Sequence, residues 1–135
     1  MSESITHQNL VKAIHTWLKN ENTNNDMSIL VDLPEEDTTN RPTMINGFRP
    51  DLYAKRVSDN RIYIGEAKTK KDLETQHSRR QLRAFLEHLS ILENSILILG
   101  VPWAMVPCAR GLIERIKIDS KTNCVDFIVL DRLPG

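Results

Sequence analysis

Arg49-Pro50-Asp51-Leu52-Tyr53 and Ile62-Tyr63-Ile64-Gly65-Glu66-Ala67-Lys68 are the two short segments from which the fold can be read. Side chains alternate faces along a strand, so Ile62, Ile64, Glu66 and Lys68 point the same way. Two apolar residues followed by two charges of opposite sign describe a strand that starts in a core and ends in a cleft. Asp51–Val57 and Arg61–Lys68 are separated by Ser58-Asp59-Asn60, a polar turn that predicts an antiparallel hairpin. The turn is about equidistant from Asp51 and from Glu66 and Lys68. Closing the hairpin therefore sets Asp51 beside Glu66 and Lys68 at the open end.

Two carboxylates placed so closely repel unless a cation lies between them. Oxygen donors with water in the remaining positions suit Mg²⁺ or Mn²⁺. Such an ion polarises a phosphoryl oxygen and lowers the pKa of bound water. A lysine roughly 6–7 Å along the strand from the glutamate can stabilise charge growing on that oxygen. The competing reading of Asp51, Glu66 and Lys68 is a surface ion-pair ladder across a hairpin.

Outward from the hairpin, Asp72–Glu93 carries an apolar stripe of Leu82, Phe85, Leu86, Leu89 and Leu92 and predicts one long helix. Ile96–Val101 reads as a strand buried on both faces, Met105–Ile116 as a helix with Pro107 in its first turn, and Val125–Leu130 as a last strand. Upstream, Ser4 caps a helix marked by Ile5, Leu10, Val11, Ile14, Trp17 and Leu18, which ends at the polar stretch from Asn20 to Asp26. Ser28–Leu33 reads as a strand and Pro34–Asn46 as a loop, with Gly47 allowing a sharp re-entry. The expected order is αβββαβαβ. The strand-helix-strand unit brings in a parallel neighbour, which makes an α/β fold with a mixed central sheet and helices on both faces.

The 135 residues, 40% apolar and 27% charged, suit one globular domain spanning 1–135. Eighteen basic residues balance eighteen acidic ones, which weakens a non-specific nucleic-acid coat without excluding a local basic patch. No apolar run reaches the ~20 residues of a membrane span. Cys108 and Cys124 lack zinc-site spacing and are expected as buried thiols. Neither a disulfide framework nor a signal pattern is present, so a cytoplasmic protein without membrane contact is expected. There is no G-x-S-x-G and no glycine-rich phosphate loop, which disfavours serine-hydrolase and nucleotide-triphosphatase chemistry.

Pro50-Asp51, fourteen intervening residues, then Glu66-Ala67-Lys68 resembles the motif of the PD-(D/E)XK nuclease superfamily, whose members share a restriction-endonuclease-like fold. The inferred element order resembles that superfamily's core as well, so the likeness covers most of the chain. It implies a Mg²⁺- or Mn²⁺-dependent endonuclease acting on DNA. Asp51 and Glu66 would hold the metal, the Ala67 carbonyl would be a third protein ligand, and Lys68 would position or activate the water. Many members carry a glutamine on the following helix. Gln76 and Gln81 both qualify, and Gln81, directly before Leu82, is preferred. Resolvase-like members place a glutamate on the first helix, where this chain has His7. That departure motivates the alternative of a catalytically inactive domain of the same fold, serving as a DNA-binding or protein-interaction module. Small nucleases of this fold commonly act as homodimers, which is an analogy at the level of fold.

Between Arg61 and Arg83 stand seven basic and three acidic residues. Lys70, Lys71, Arg79, Arg80 and Arg83 in this stretch are candidates for contacting the backbone of double-stranded or branched DNA. For Arg79, Arg80 and Arg83 a solvated helix face competes with that reading. Arg41 and Arg49 would join from the loop side. His7 reads as a surface or capping residue. His15, His77 and His88 show no paired metal spacing, and Trp17 and Trp103 read as core or interface residues.

Overall fold

A computed structural model describes residues 5–22, 26–34 and 40–131. The Ser4 cap lies outside the described residues. Helix α1 (Ile5–Glu21) is followed by strands β1 (Met27–Val31), β2 (Leu52–Arg56) and β3 (Arg61–Ala67). Then come helices α2 (Lys70–Leu73) and α3 (Gln76–Ser90), strand β4 (Ser95–Gly100), a 3-10 turn at Trp103–Met105, helix α4 (Val106–Ser120) and strand β5 (Asp126–Leu130). The five strands form one sheet in sequence order. β1, β2 and β3 pair antiparallel, whereas β3, β4 and β5 pair parallel. The chain is thus mixed α/β, with the mixed sheet flanked by helices.

The one helix expected over Asp72–Glu93 is two. Thr69 caps α2 by accepting from the Asp72 amide, and Thr75 caps α3 by accepting from the Ser78 amide. Two threonines offering side-chain oxygens to the backbone within one stretch favour two starts over one continuous helix. The apolar stripe begins only after the second cap, so periodicity alone did not reveal the break. α4 runs one turn beyond expectation and ends where Lys121 adopts the left-handed conformation (φ 58°, ψ 40°), satisfying carbonyls of the last turn. Pro107 sits in its first turn, where a missing amide costs nothing.

Each sheet face has its own core. α1 lays Leu10, Val11, Ile14 and Leu18 against Leu52, Ala54, Tyr63, Ala67, Ile96 and Ile98. On the opposite face, Leu82, Phe85, Leu86 and Leu89 of α3 and Leu112, Ile113 and Ile116 of α4 cover Ile62, Ile64, Leu97 and Leu99. α1 comes unusually close to the sheet. A Cβ added at Gly65 would stand 3.0 Å from Ile14 Cγ2, and one added at Gly100 would stand 3.0 Å from Ile14 Cδ1. Only glycine leaves room for that approach.

The β2–β3 turn is anchored through Asp59. Its carboxylate accepts from Arg56 Nε (2.9 Å) and Nη2 (2.7 Å), the Arg61 amide (3.2 Å) and Asn94 Nδ2 (3.0 Å). Asn60 takes positive φ (59°) to close the turn.

Both cysteines are exposed, contrary to expectation. The buried stripe of α4 runs through Ala109, Leu112, Ile113 and Ile116, which turns Cys108 outward, and Cys124 lies in the turn before β5. Trp17 packs at the edge of the α1-side core, but Trp103 is 67% exposed and belongs to no core. Among the described residues no helix is long and apolar enough to cross a membrane.

Candidate metal centre

The site forms where β2 and β3 part. Leu52 pairs with Gly65, and one step further the same register sets Asp51 opposite Glu66. Asp51 is held from the other side by its carbonyl, which accepts from the Asp32 amide (2.8 Å). Beyond this pair the ladder does not continue between backbones. The Ala67 amide donates instead to Asp51 Oδ2 (2.8 Å). Amide and carbonyl of one strand residue point to the same neighbour, so the Ala67 carbonyl is directed toward Asp51 too. On its other side β3 stays zipped to β4, with the Lys68 amide donating to the Gly100 carbonyl (2.9 Å).

Asp51, Glu66 and Lys68 are all buried, as the alternation along β3 requires for a strand passing from core to cleft. A surface ion-pair ladder would leave them in water. Lys68 Nζ donates to Gln81 Oε1, and Gln81 is itself buried on α3, whereas Gln76 is exposed. Of the two helix glutamines, it is therefore Gln81, the one directly before Leu82, that reaches the lysine.

His7 departs from expectation. It is not a surface or capping residue: its Nε2 lies 3.2 Å from Asp51 Oδ2, with its side chain 14% exposed. One ligand atom from each of His7, Asp51 and Glu66 lies within 4.8 Å of the others. The signal was present in the sequence, because His7 continues the buried stripe of Leu10, Val11, Ile14 and Leu18 one turn upstream at helical spacing.

Burial would push the Asp51 carboxyl up. Hydrogen bonds with Glu66, His7 and the Ala67 amide, together with the imidazole's charge, outweigh it and hold Asp51 below the ordinary 3.8. Two carboxylates this close repel, and a divalent cation between them would remove that repulsion. The donor set of one imidazole and two carboxylates, with a backbone carbonyl at hand, fits such an ion. The nitrogen donor tilts preference from Mg²⁺ toward Mn²⁺.

These groups line a cleft of about 640 Å³, together with Asp32, Arg49, Thr69, Lys71, Asp72, Thr75, His77 and Ser78. Of the basic residues proposed for DNA contact, Lys71 lines it and Lys70 is exposed beside it. Arg79 borders a separate, smaller depression against α4 with Met105, Cys108 and Arg115. Arg80 is exposed, and Arg83 faces Glu87 across one helical turn (3.8 Å). Arg49 was named only as an addition from the loop side, yet it lines the cleft, while Arg41 faces Asp32 (3.4 Å). No protein-family model, no curated protein and no solved structure matches the chain.

Proposed function

We propose that the chain is a divalent-metal-dependent nuclease that hydrolyses phosphodiester bonds in DNA, built on a restriction-endonuclease-like core. The observation that carries this reading is the meeting of His7, Asp51 and Glu66 within 4.8 Å, beside a buried Lys68 held by Gln81. The strand directions and the helices on both faces agree with that core. So does the spacing of Pro50-Asp51 and Glu66-Ala67-Lys68.

His7, Asp51 and Glu66 would hold the ion, with the Ala67 carbonyl as a further ligand. When bound, the ion lowers the pKa of its water and polarises the phosphoryl oxygen. Lys68 lines the cleft with its ammonium, which orients the attacking water and stabilises charge developing on the phosphate. Gln81 holds that ammonium in position and does not itself touch the reacting atoms. Lys71 and Arg49 supply positive charge along the cleft wall for a double-stranded or branched DNA backbone.

Calorimetric titration of Mn²⁺ into wild type and Glu66→Ala tests the centre, and incubation with branched, linear and circular DNA in Mg²⁺ or Mn²⁺ tests the reaction. Uptake lost in the variant, together with cleavage by wild type, is the expected result. Salt-sensitive DNA binding without any metal uptake would overturn it in favour of an inactive binding module of the same fold.

A further inference from the structure

The cleft contains more than the metal centre needs. Ser78 is 1% exposed and lines the cleft. Its amide donates to Thr75 Oγ1 (3.1 Å), but its hydroxyl has no hydrogen-bond partner among the described residues. It stands in the first turn of the 15-residue helix α3, whose start, carrying the positive end of the helix dipole, borders the cleft through Thr75, His77 and Ser78.

The charges around it are uneven. Of the four acidic residues of the cleft, Asp32 faces Arg41 (3.4 Å), Asp51 faces His7 (3.2 Å), Asp72 accepts from Thr69 Oγ1 (2.9 Å), and Glu66 stands with His7 and Asp51 in the candidate metal centre. Arg49 and Lys71 line the same cleft and have no ion-pair partner among the described residues. Two cations, the Ser78 hydroxyl and the start of α3 thus line one cleft.

We infer that this end of the cleft is a phosphate-binding subsite. Ser78 Oγ and the Gln76 and His77 amides bind the phosphate oxygens, and Arg49 and Lys71 neutralise the charge. It holds a phosphate of the substrate strand other than the one undergoing attack, and in that sense rests on the nuclease reading. The ligand is a phosphate ester, either an internal diester or a terminal monoester. Holding a second phosphate fixes the strand's register over the metal centre, a positioning role distinct from the chemistry.

Inorganic phosphate titrated into the metal-free protein, followed by amide chemical shifts, tests the site. Saturable shifts at Gln76, His77 and Ser78 are expected. Affinity should fall about tenfold in Arg49→Gln/Lys71→Gln and about threefold in Ser78→Ala, with Mn²⁺ affinity unchanged in both. Duplexes with a 5′-phosphate or a 5′-hydroxyl separate the two sources: a preference for the phosphorylated end assigns a terminal group, and equal binding assigns an internal diester. Absence of saturable shifts at these amides, or variants that bind phosphate as wild type does, would overturn the subsite while Mn²⁺ uptake kept the metal centre intact. Phosphate binding in a protein that takes up no Mn²⁺ would leave the subsite standing and remove the nuclease reading.

Discussion

His7 and Asp51, 44 residues apart in sequence, meet at 3.2 Å between Nε2 and Oδ2. The contact joins the first turn of α1 to the residue before β2, and in the proposed metal centre it would add a nitrogen donor to an otherwise oxygen-based ligand set. His7→Ala should weaken Mn²⁺ binding about 10- to 100-fold, by analogy with the loss of other groups that set a metal site. His7→Glu should shift preference from Mn²⁺ toward Mg²⁺. Parallel calorimetric titrations with the two ions check both. An unchanged Mn²⁺ affinity in His7→Ala would remove the imidazole from the ligand set.

Lys68 and Gln81 are expected to separate chemistry from metal uptake. Lys68→Ala should lower cleavage about 10²- to 10⁴-fold while Mn²⁺ still binds. Gln81→Ala leaves the buried ammonium without its acceptor, which costs roughly 1–3 kcal/mol of stability. Turnover should fall with it, because Lys68 loses its fixed position. Thermal melts beside single-turnover rates distinguish the two effects.

The close approach of α1 makes a sharper test of the fold. Gly100→Ala puts a methyl 3.0 Å from Ile14 Cδ1 and 3.1 Å from Ile14 Cγ1. Overpacking of this kind costs about 1–3 kcal/mol. Displacing α1 should also reduce Mn²⁺ affinity, since His7 rides on that helix. Adding Ile14→Val removes Cδ1 and should recover part of both losses. A double-mutant cycle on denaturation midpoints reads the coupling.

The β2–β3 turn should respond to acid. Hydrogen bonding by Arg56, with further bonds from Asn94 and the Arg61 amide, holds the Asp59 carboxyl well below its ordinary 3.8. The unfolded chain therefore takes up this proton at higher pH than the folded one. Asp59's contribution is fully present above the ordinary carboxylate range and is lost as pH falls through the lower folded value. Denaturation midpoints between pH 6 and 2 should decline less steeply in Asp59→Asn than in wild type.

Much of this was legible in local pattern. Alternation along Ile62–Lys68 placed Glu66 and Lys68 in the cleft, and equidistance from the Ser58-Asp59-Asn60 turn set Asp51 opposite Glu66. The position of Gln81 just before the apolar stripe distinguished it from Gln76. What escaped depended on contacts remote in sequence or on competition between weak local signals. The α1 stripe marks His7 as facing inward, but which strand ends it faces follows only from the docking of α1 across Gly65 and Gly100. The break at Thr75 is a contest between a side-chain cap and helix continuation, which spacing of leucines does not register. Arg79 looked like part of one basic track, but the turn of α3 carries it toward α4, away from Lys71.

Gly65 and Gly100 also govern when the centre can exist during synthesis. α1 precedes in the chain every strand it docks on, and that surface includes β4, which ends at Gly100. Until that strand has emerged and paired, His7 has nothing to hold it beside Asp51. Asp51, Glu66 and Lys68 are therefore all synthesised before the surface that seats the imidazole is complete.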